Sequence, residues 1–136
     1  MSRKLIVQRI AIVAVVAVLL LAAGCGSAGQ VKVDDKSNGK QIDVQRNHTL
    51  AVTLESNPST GYRWEVVEVD KAILEQMGDA TFKYSGKTPI ALGTGGWETF
   101  MFKAAKAGQT TLKMVYRRSW ETVAPLTTYT LQVVVR

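Results

Sequence analysis

The chain has 136 residues, a formal net charge of +6, a single cysteine and a single histidine. That length fits one domain, and one cysteine excludes a disulfide within the chain, so the folded part must be held by its core alone. With one histidine, and with no carboxylate cluster or metal-ligand set at a working spacing, neither an enzyme, a cofactor nor a metal is expected.

Arg3, Lys4 and Arg9 precede an unbroken apolar run from Ile10 to Ala23. The run is short for a membrane span and has the order of a signal peptide over residues 1–24. Ala22-Ala23-Gly24 then lead into Cys25. This junction resembles a bacterial lipobox, with Ala22 where that pattern usually has Leu and Leu21 one place further out. The resemblance implies cleavage before Cys25, lipidation of its thiol, and an exported protein whose lipid anchor ties it to the membrane of the bacterial cell envelope. Three of the 17 Lys and Arg residues lie in the leader, leaving 14 against 11 acidic residues and a balance of only +3. No basic run is interleaved with aromatics, so nucleic acid is not an expected partner. Residues 25–40 are rich in Gly, Ser, Lys, Asp and Asn and read as a flexible tether ahead of a domain over residues 41–136.

Within the domain, residues 41–44 open a first strand. Leu50, Val52 and Leu54 alternate, which places them on one face of a strand over residues 50–55. A turn follows at Asn57-Pro58-Ser59-Thr60-Gly61-Tyr62. Pro58 fixes its own φ and biases Asn57 toward extended backbone, while Gly61 is free to take positive φ. Residues 63–69 form the next strand, with Trp64 in the core. Asp70 to Met77 has the form of a short helix with Asp70 as N-cap and Gly78 as stop. Short strands are read at 81–84, 97–103, 110–116 and 127–135, with long loops at 85–96 and 117–125. Phe100, Phe102, Leu112, Met114, Leu131 and Val133 fall on single faces of these strands, and Trp97 is read as packing. Trp120 fits two roles, a binding anchor or a cap on the core. Many short strands with little helix indicate an all-β protein, an antiparallel β-sandwich of immunoglobulin-like size.

Three of the loops carry a family pattern. The run Asn57 to Tyr62 resembles the NPTTGY loop of the chagasin family of cysteine peptidase inhibitors, with Ser59 in place of the first Thr. Gly93-Thr94-Gly95-Gly96 resembles the family's GxGG motif, and Arg118-Ser119-Trp120 its RPW motif, with Ser119 in place of Pro. The motifs stand in the family order between predicted strands. The resemblance implies an immunoglobulin-like fold with the three loops at one end, a monomeric reversible inhibitor, and a papain-like cysteine peptidase as partner. It assigns peptidase binding to Asn57, Pro58, Ser59, Thr60, Gly61 and Tyr62 as a wedge. Gly93, Thr94, Gly95 and Gly96 would follow the cleft wall, and Arg118 and Trp120 would grip the other side. The competing reading is a cell-envelope binding or scaffold lipoprotein with no peptidase target.

Overall fold

The computed structural model describes residues 28–86 and 93–136. The leader, Cys25 and the middle of the loop read over residues 85–96 lie outside the described residues.

The described residues form a two-layer β-sandwich. One sheet is built from β1 (Gln30–Val33), β3 (Thr49–Ser56), β7 (Gly96–Ala104), β5 (Leu74–Gln76) and β6 (Thr81–Tyr84). In it β1 lies on β3 and β3 on β7, while β5 and β6 share the far edge of β7. The other sheet runs β2 (Gln41–Val44), β9 (Thr127–Val135), β8 (Gly108–Arg117), β4 (Arg63–Glu68). The period-two alternation decides which side chains meet between the sheets. Leu50, Val52, Leu54, Phe100 and Phe102 face Trp64, Leu112, Met114, Leu131 and Val133, all buried. Trp64 lies on the inner face as expected, and its indole N–H donates to the Glu55 carbonyl at 2.9 Å, joining β4 to the opposite sheet.

Two expectations on this architecture need correction. The sandwich is not wholly antiparallel: β1 pairs with β3 and β2 with β9 in parallel. The segment read as a tether is, from Gln30 onward, part of the domain. After β1 the chain changes sheets through a single 3-10 turn at Asp35–Ser37, capped by the Asp34 carboxylate accepting from the Lys36 N–H at 3.0 Å. Asn38 then takes the place of a strand residue on the edge of β9: its amide donates to the Thr128 carbonyl and its oxygen accepts from the Thr130 N–H. Only Val31 and Val33 mark β1 as apolar, so the polar composition around them hides it; Val33 is nonetheless buried. A strand can dock by ladder hydrogen bonds and one inward side chain where its composition alone suggests a linker.

The helix read over residues 70–77 is a turn followed by a strand. Asp70 does cap, its carboxylate accepting from the Ala72 N–H at 2.9 Å and its carbonyl from Ile73 and Leu74. The chain then straightens because the edge of β7 continues past it. Leu74 pairs opposite Ala104 and is fully buried, a packing gain that one exposed helical turn could not match.

Tyr129 gives the fold a pH dependence. It is 2% exposed, and its hydroxyl donates to the Asp34 carbonyl at 2.9 Å. Burial above all, and the nearby carboxylates of Asp35 and Asp34, push its ionisation well above the ordinary tyrosine value. In the unfolded chain the phenol loses its proton near pH 10, so above that pH the native state holds the proton that the unfolded state sheds. The contribution of Tyr129 to stability is therefore constant below about pH 10 and is lost as pH rises beyond it. Melting temperature measured from pH 8 to 12 should show this alkaline loss. Tyr129→Phe should flatten it while lowering the plateau by the missing hydrogen bond.

Candidate functional site

The register of the strands brings the three loops together. Ser56 at the end of β3 pairs with Gly96 at the start of β7, so loop 1 (residues 57–62) leaves the first sheet beside loop 2 (residues 93–95). Arg63 at the start of β4 pairs with Arg117 at the end of β8, so loop 1 enters the second sheet beside loop 3 (residues 118–126). Loop 1 thus bridges the two sheets, with a neighbour on each side.

Loop 1 is a single 3-10 turn, Pro58–Thr60, closed at both ends. Asn57 keeps out of the helical region, at φ −135° and ψ 87°, as a residue before proline should, and its carbonyl accepts both the N–H (3.1 Å) and the hydroxyl (2.7 Å) of Thr60. The Ser59 hydroxyl donates to the Asn57 side-chain oxygen at 2.6 Å. Gly61 ends the turn in the left-handed region at φ 81°, its N–H bonded to the Pro58 carbonyl. Ser59 and Thr60 form the exposed tip.

Contacts from both sides hold this turn. The Asn57 amide donates to the Gly93 carbonyl of loop 2 at 3.1 Å, and a Cβ on Gly95 would lie 3.4 Å from the Ser56 carbonyl. Arg118 of loop 3 does three things: its Nε donates to the Thr60 carbonyl at 2.9 Å, its guanidinium lies 4.4 Å from the Tyr62 ring centre, and a second nitrogen pairs with Glu121 at 3.0 Å. Trp120 of the same loop lies directly over Gly61, so close that a Cβ there would come within 2.5 Å of the indole. Trp120 is 68% exposed and does not cap the core, which removes one of its two sequence readings. Trp97, read as packing, is 43% exposed on the outer face of its sheet, because the inward positions of β7 are Gly96, Phe100 and Phe102.

The residue that sequence reasoning misses is Tyr116. Its alternation marks it as one more strand position, yet its hydroxyl accepts the Asn57 N–H at 2.8 Å and its ring stacks on Tyr62 (centres 5.4 Å apart) and lies tilted against Trp64 (5.1 Å). Trp64 in turn meets Tyr129 edge to face. The loop is therefore bolted to the core through one aromatic column. The only advance signal is a phenol at the strand end next to the Arg-Trp loop.

Among the described residues, the assembled end carries no nucleophile with a base beside it. It presents a pre-formed, uncharged tip flanked by a glycine loop and an Arg-Trp loop, which is equipment for docking rather than for bond making.

Comparison with known proteins agrees with this geometry. The model of the chagasin family peptidase inhibitors, I42, matches residues 43–133. Amoebiasin-2 of Entamoeba histolytica is 31% identical over 104 residues, covering 75% of this chain and 82% of that protein. Chagasin of Trypanosoma cruzi is 31% identical over 90 residues, covering 65% of this chain and 82% of that protein. Among solved structures, the crystal structure of the cysteine protease inhibitor EhICP2 from Entamoeba histolytica superimposes with a TM-score of 0.72 at 26% identity, over 82% of this chain and all of that one. The chain belongs to the chagasin family of peptidase inhibitors.

Proposed function

We propose that this protein is a reversible, competitive inhibitor of papain-like cysteine peptidases that fills the active-site cleft with the Asn57–Tyr62 turn. The observation that carries the reading is the locking of that turn between Gly93 on one side and Arg118 and Trp120 on the other. A loop ordered before binding avoids most of the entropy cost of being ordered by it. The tip acts by shape and is supported rather than replaced by the Arg-Trp contacts. Membership of the family, and the likeness to the cysteine protease inhibitor EhICP2, favour this over an envelope scaffold without a peptidase target. Titration of the domain from residue 28 onward against papain and a cathepsin-like peptidase tests it. Competitive inhibition at or below micromolar concentration is expected, and no inhibition at that level would transfer the assignment to the scaffold reading.

We further propose that Cys25 is lipidated and tethers the inhibitor to the cell envelope. The support is the order of basic, apolar and small residues ahead of the one cysteine. A single acyl chain binds membranes only marginally, so stable anchoring requires more than one. Mass spectrometry of the mature protein should find lipid on Cys25, and Cys25→Ser should move the protein out of the membrane fraction. A mature N-terminus without lipid would end this proposal.

A further inference from the structure

Of the seven large apolar side chains exposed among the described residues, only Val67 and Met77 lie away from the loop end. Trp120, Val123 and Leu126 belong to loop 3, and Tyr84 pairs with Gly96 at the root of loop 2. Trp97 is different, because it stands on a strand paired on both sides, between β3 and β6. It is the first outward-facing residue of β7, one step beyond Gly96, and the core makes no use of it.

We propose that Trp97 is a specificity-determining contact of the inhibitor, carrying its peptidase surface beyond loop 2 onto the outer face of the β3–β7–β6 sheet. The inference rests on the peptidase-inhibitor reading above and adds a residue outside the three motifs.

Four observations carry it. First, Trp97 sits directly between Glu55 of β3 and Lys83 of β6, with Thr53 and Thr99, bonded hydroxyl to hydroxyl at 2.9 Å, behind it. An indole there is an apolar island in polar surroundings, the arrangement of a buried anchor and its rim once a partner covers it. Second, its mount is rigid. The Gly95 carbonyl accepts both the N–H (3.1 Å) and the hydroxyl (2.8 Å) of Ser85. Gly96 is enclosed, since a Cβ there would run into the Lys83 carbonyl oxygen and the Phe82 ring. The backbone that carries Trp97 is thus already fixed and has little freedom left to lose on binding. Third, the face is continuous with loop 2, whose Gly93 already holds the wedge, so a peptidase seated on the loops has its cleft wall beside Trp97. Fourth, Trp97 is 43% exposed at an outward strand site between Glu55 and Lys83, so the core does not call for an indole there.

The fitting partner surface is an apolar patch on the peptidase rim with a hydrogen-bond acceptor for the indole N–H and polar groups around it. Peptidases sharing one catalytic cleft differ in such rim residues, which is why the contact sets preference rather than inhibition as such.

Inhibition constants against papain and a cathepsin-like peptidase, with melting temperatures, test this for wild type, Trp97→Ala, Trp97→Phe and Met77→Ala. Trp97→Ala should weaken inhibition of at least one enzyme by about tenfold or more and of the two by unequal factors, with the melting temperature unchanged. Trp97→Phe should recover most of the loss. Met77, 48% exposed and remote from the loops, should be silent. Wild-type inhibition that survives Trp97→Ala unchanged on both enzymes would overturn the proposal alone. So would a loss that is equal on both and matched by a fall in melting temperature. A wild type that inhibits neither enzyme would remove the inhibitor reading itself, and this inference with it.

Discussion

Gly61→Val should raise the inhibition constant roughly a hundredfold or more, about 2.7 kcal/mol, while the sandwich stays folded. Two separate effects combine at this residue. Its backbone sits at φ 81°, where an L-residue costs about 1–2 kcal/mol and a β-branched one more. Its missing Cβ leaves the space that Trp120 occupies: a Cβ would stand 2.5 Å from one indole carbon and 3.0 Å from the next. The turn can relieve the strain by giving up the bond from Gly61 to the Pro58 carbonyl, or Trp120 can swing outward into solvent. Either response dismantles the docking end, and neither reaches the core, because none of residues 57–62 is buried. The melting temperature should therefore fall only by the scale of the local strain, about 1–2 kcal/mol or roughly 4–16 °C, far short of unfolding the domain. Gly61→Ala should lie between the two, since it shares the φ strain and the first contact but lacks the branches. Full-strength inhibition by Gly61→Val would mean that the turn is not the inhibitory element.

How much of this could be read from the sequence follows from what kind of force made each feature. Thr49–Ser56, Gly96–Ala104, Gly108–Arg117 and Thr127–Val135 are central strands with one face in the core, so burial imposed an alternation visible in the residues themselves. Gln30–Val33 and Leu74–Gln76 are edge strands. They are made by backbone hydrogen bonds offered by β3 and β7, and a neighbour's free edge leaves no mark on the sequence that pairs with it. The turn at Asn57–Tyr62 was legible because Pro58 and Gly61 constrain φ locally, and both adopt what they dictate. The gathering of three loops at one end came from the family resemblance and is produced by two register pairs, Ser56 with Gly96 and Arg63 with Arg117. No local pattern encodes these. Tyr116 escapes sequence reading for the same reason: its role is fixed by Asn57, Tyr62 and Trp64, which lie more than fifty positions away.

Trp120→Ala should weaken inhibition by about 2 kcal/mol or more, close to thirtyfold, with no measurable loss of stability. The side chain is 68% exposed, so truncation takes little from the folded state; exposed substitutions of this kind usually stay within about 0.5 kcal/mol. In a complex the same indole would be covered, and tryptophan is the residue type that most often dominates such surfaces. Its position over Gly61 adds a second test. If the damage in Gly61→Val comes from the collision with the indole, removing the indole first should make the valine cheaper. The double variant should then lose less than the sum of the single losses, with a coupling of roughly 0.5–3 kcal/mol as expected for residues in contact. If the damage comes from φ strain alone, the two losses should add. Coupling would identify loops 1 and 3 as one docking unit, with Trp120 both an anchor and the clamp on the turn. Strict additivity with an undiminished Trp120→Ala loss would leave the indole as an anchor only. A Trp120→Ala protein that inhibits like wild type would remove loop 3 from the contact surface and leave Arg118 as a brace for Thr60 and Tyr62.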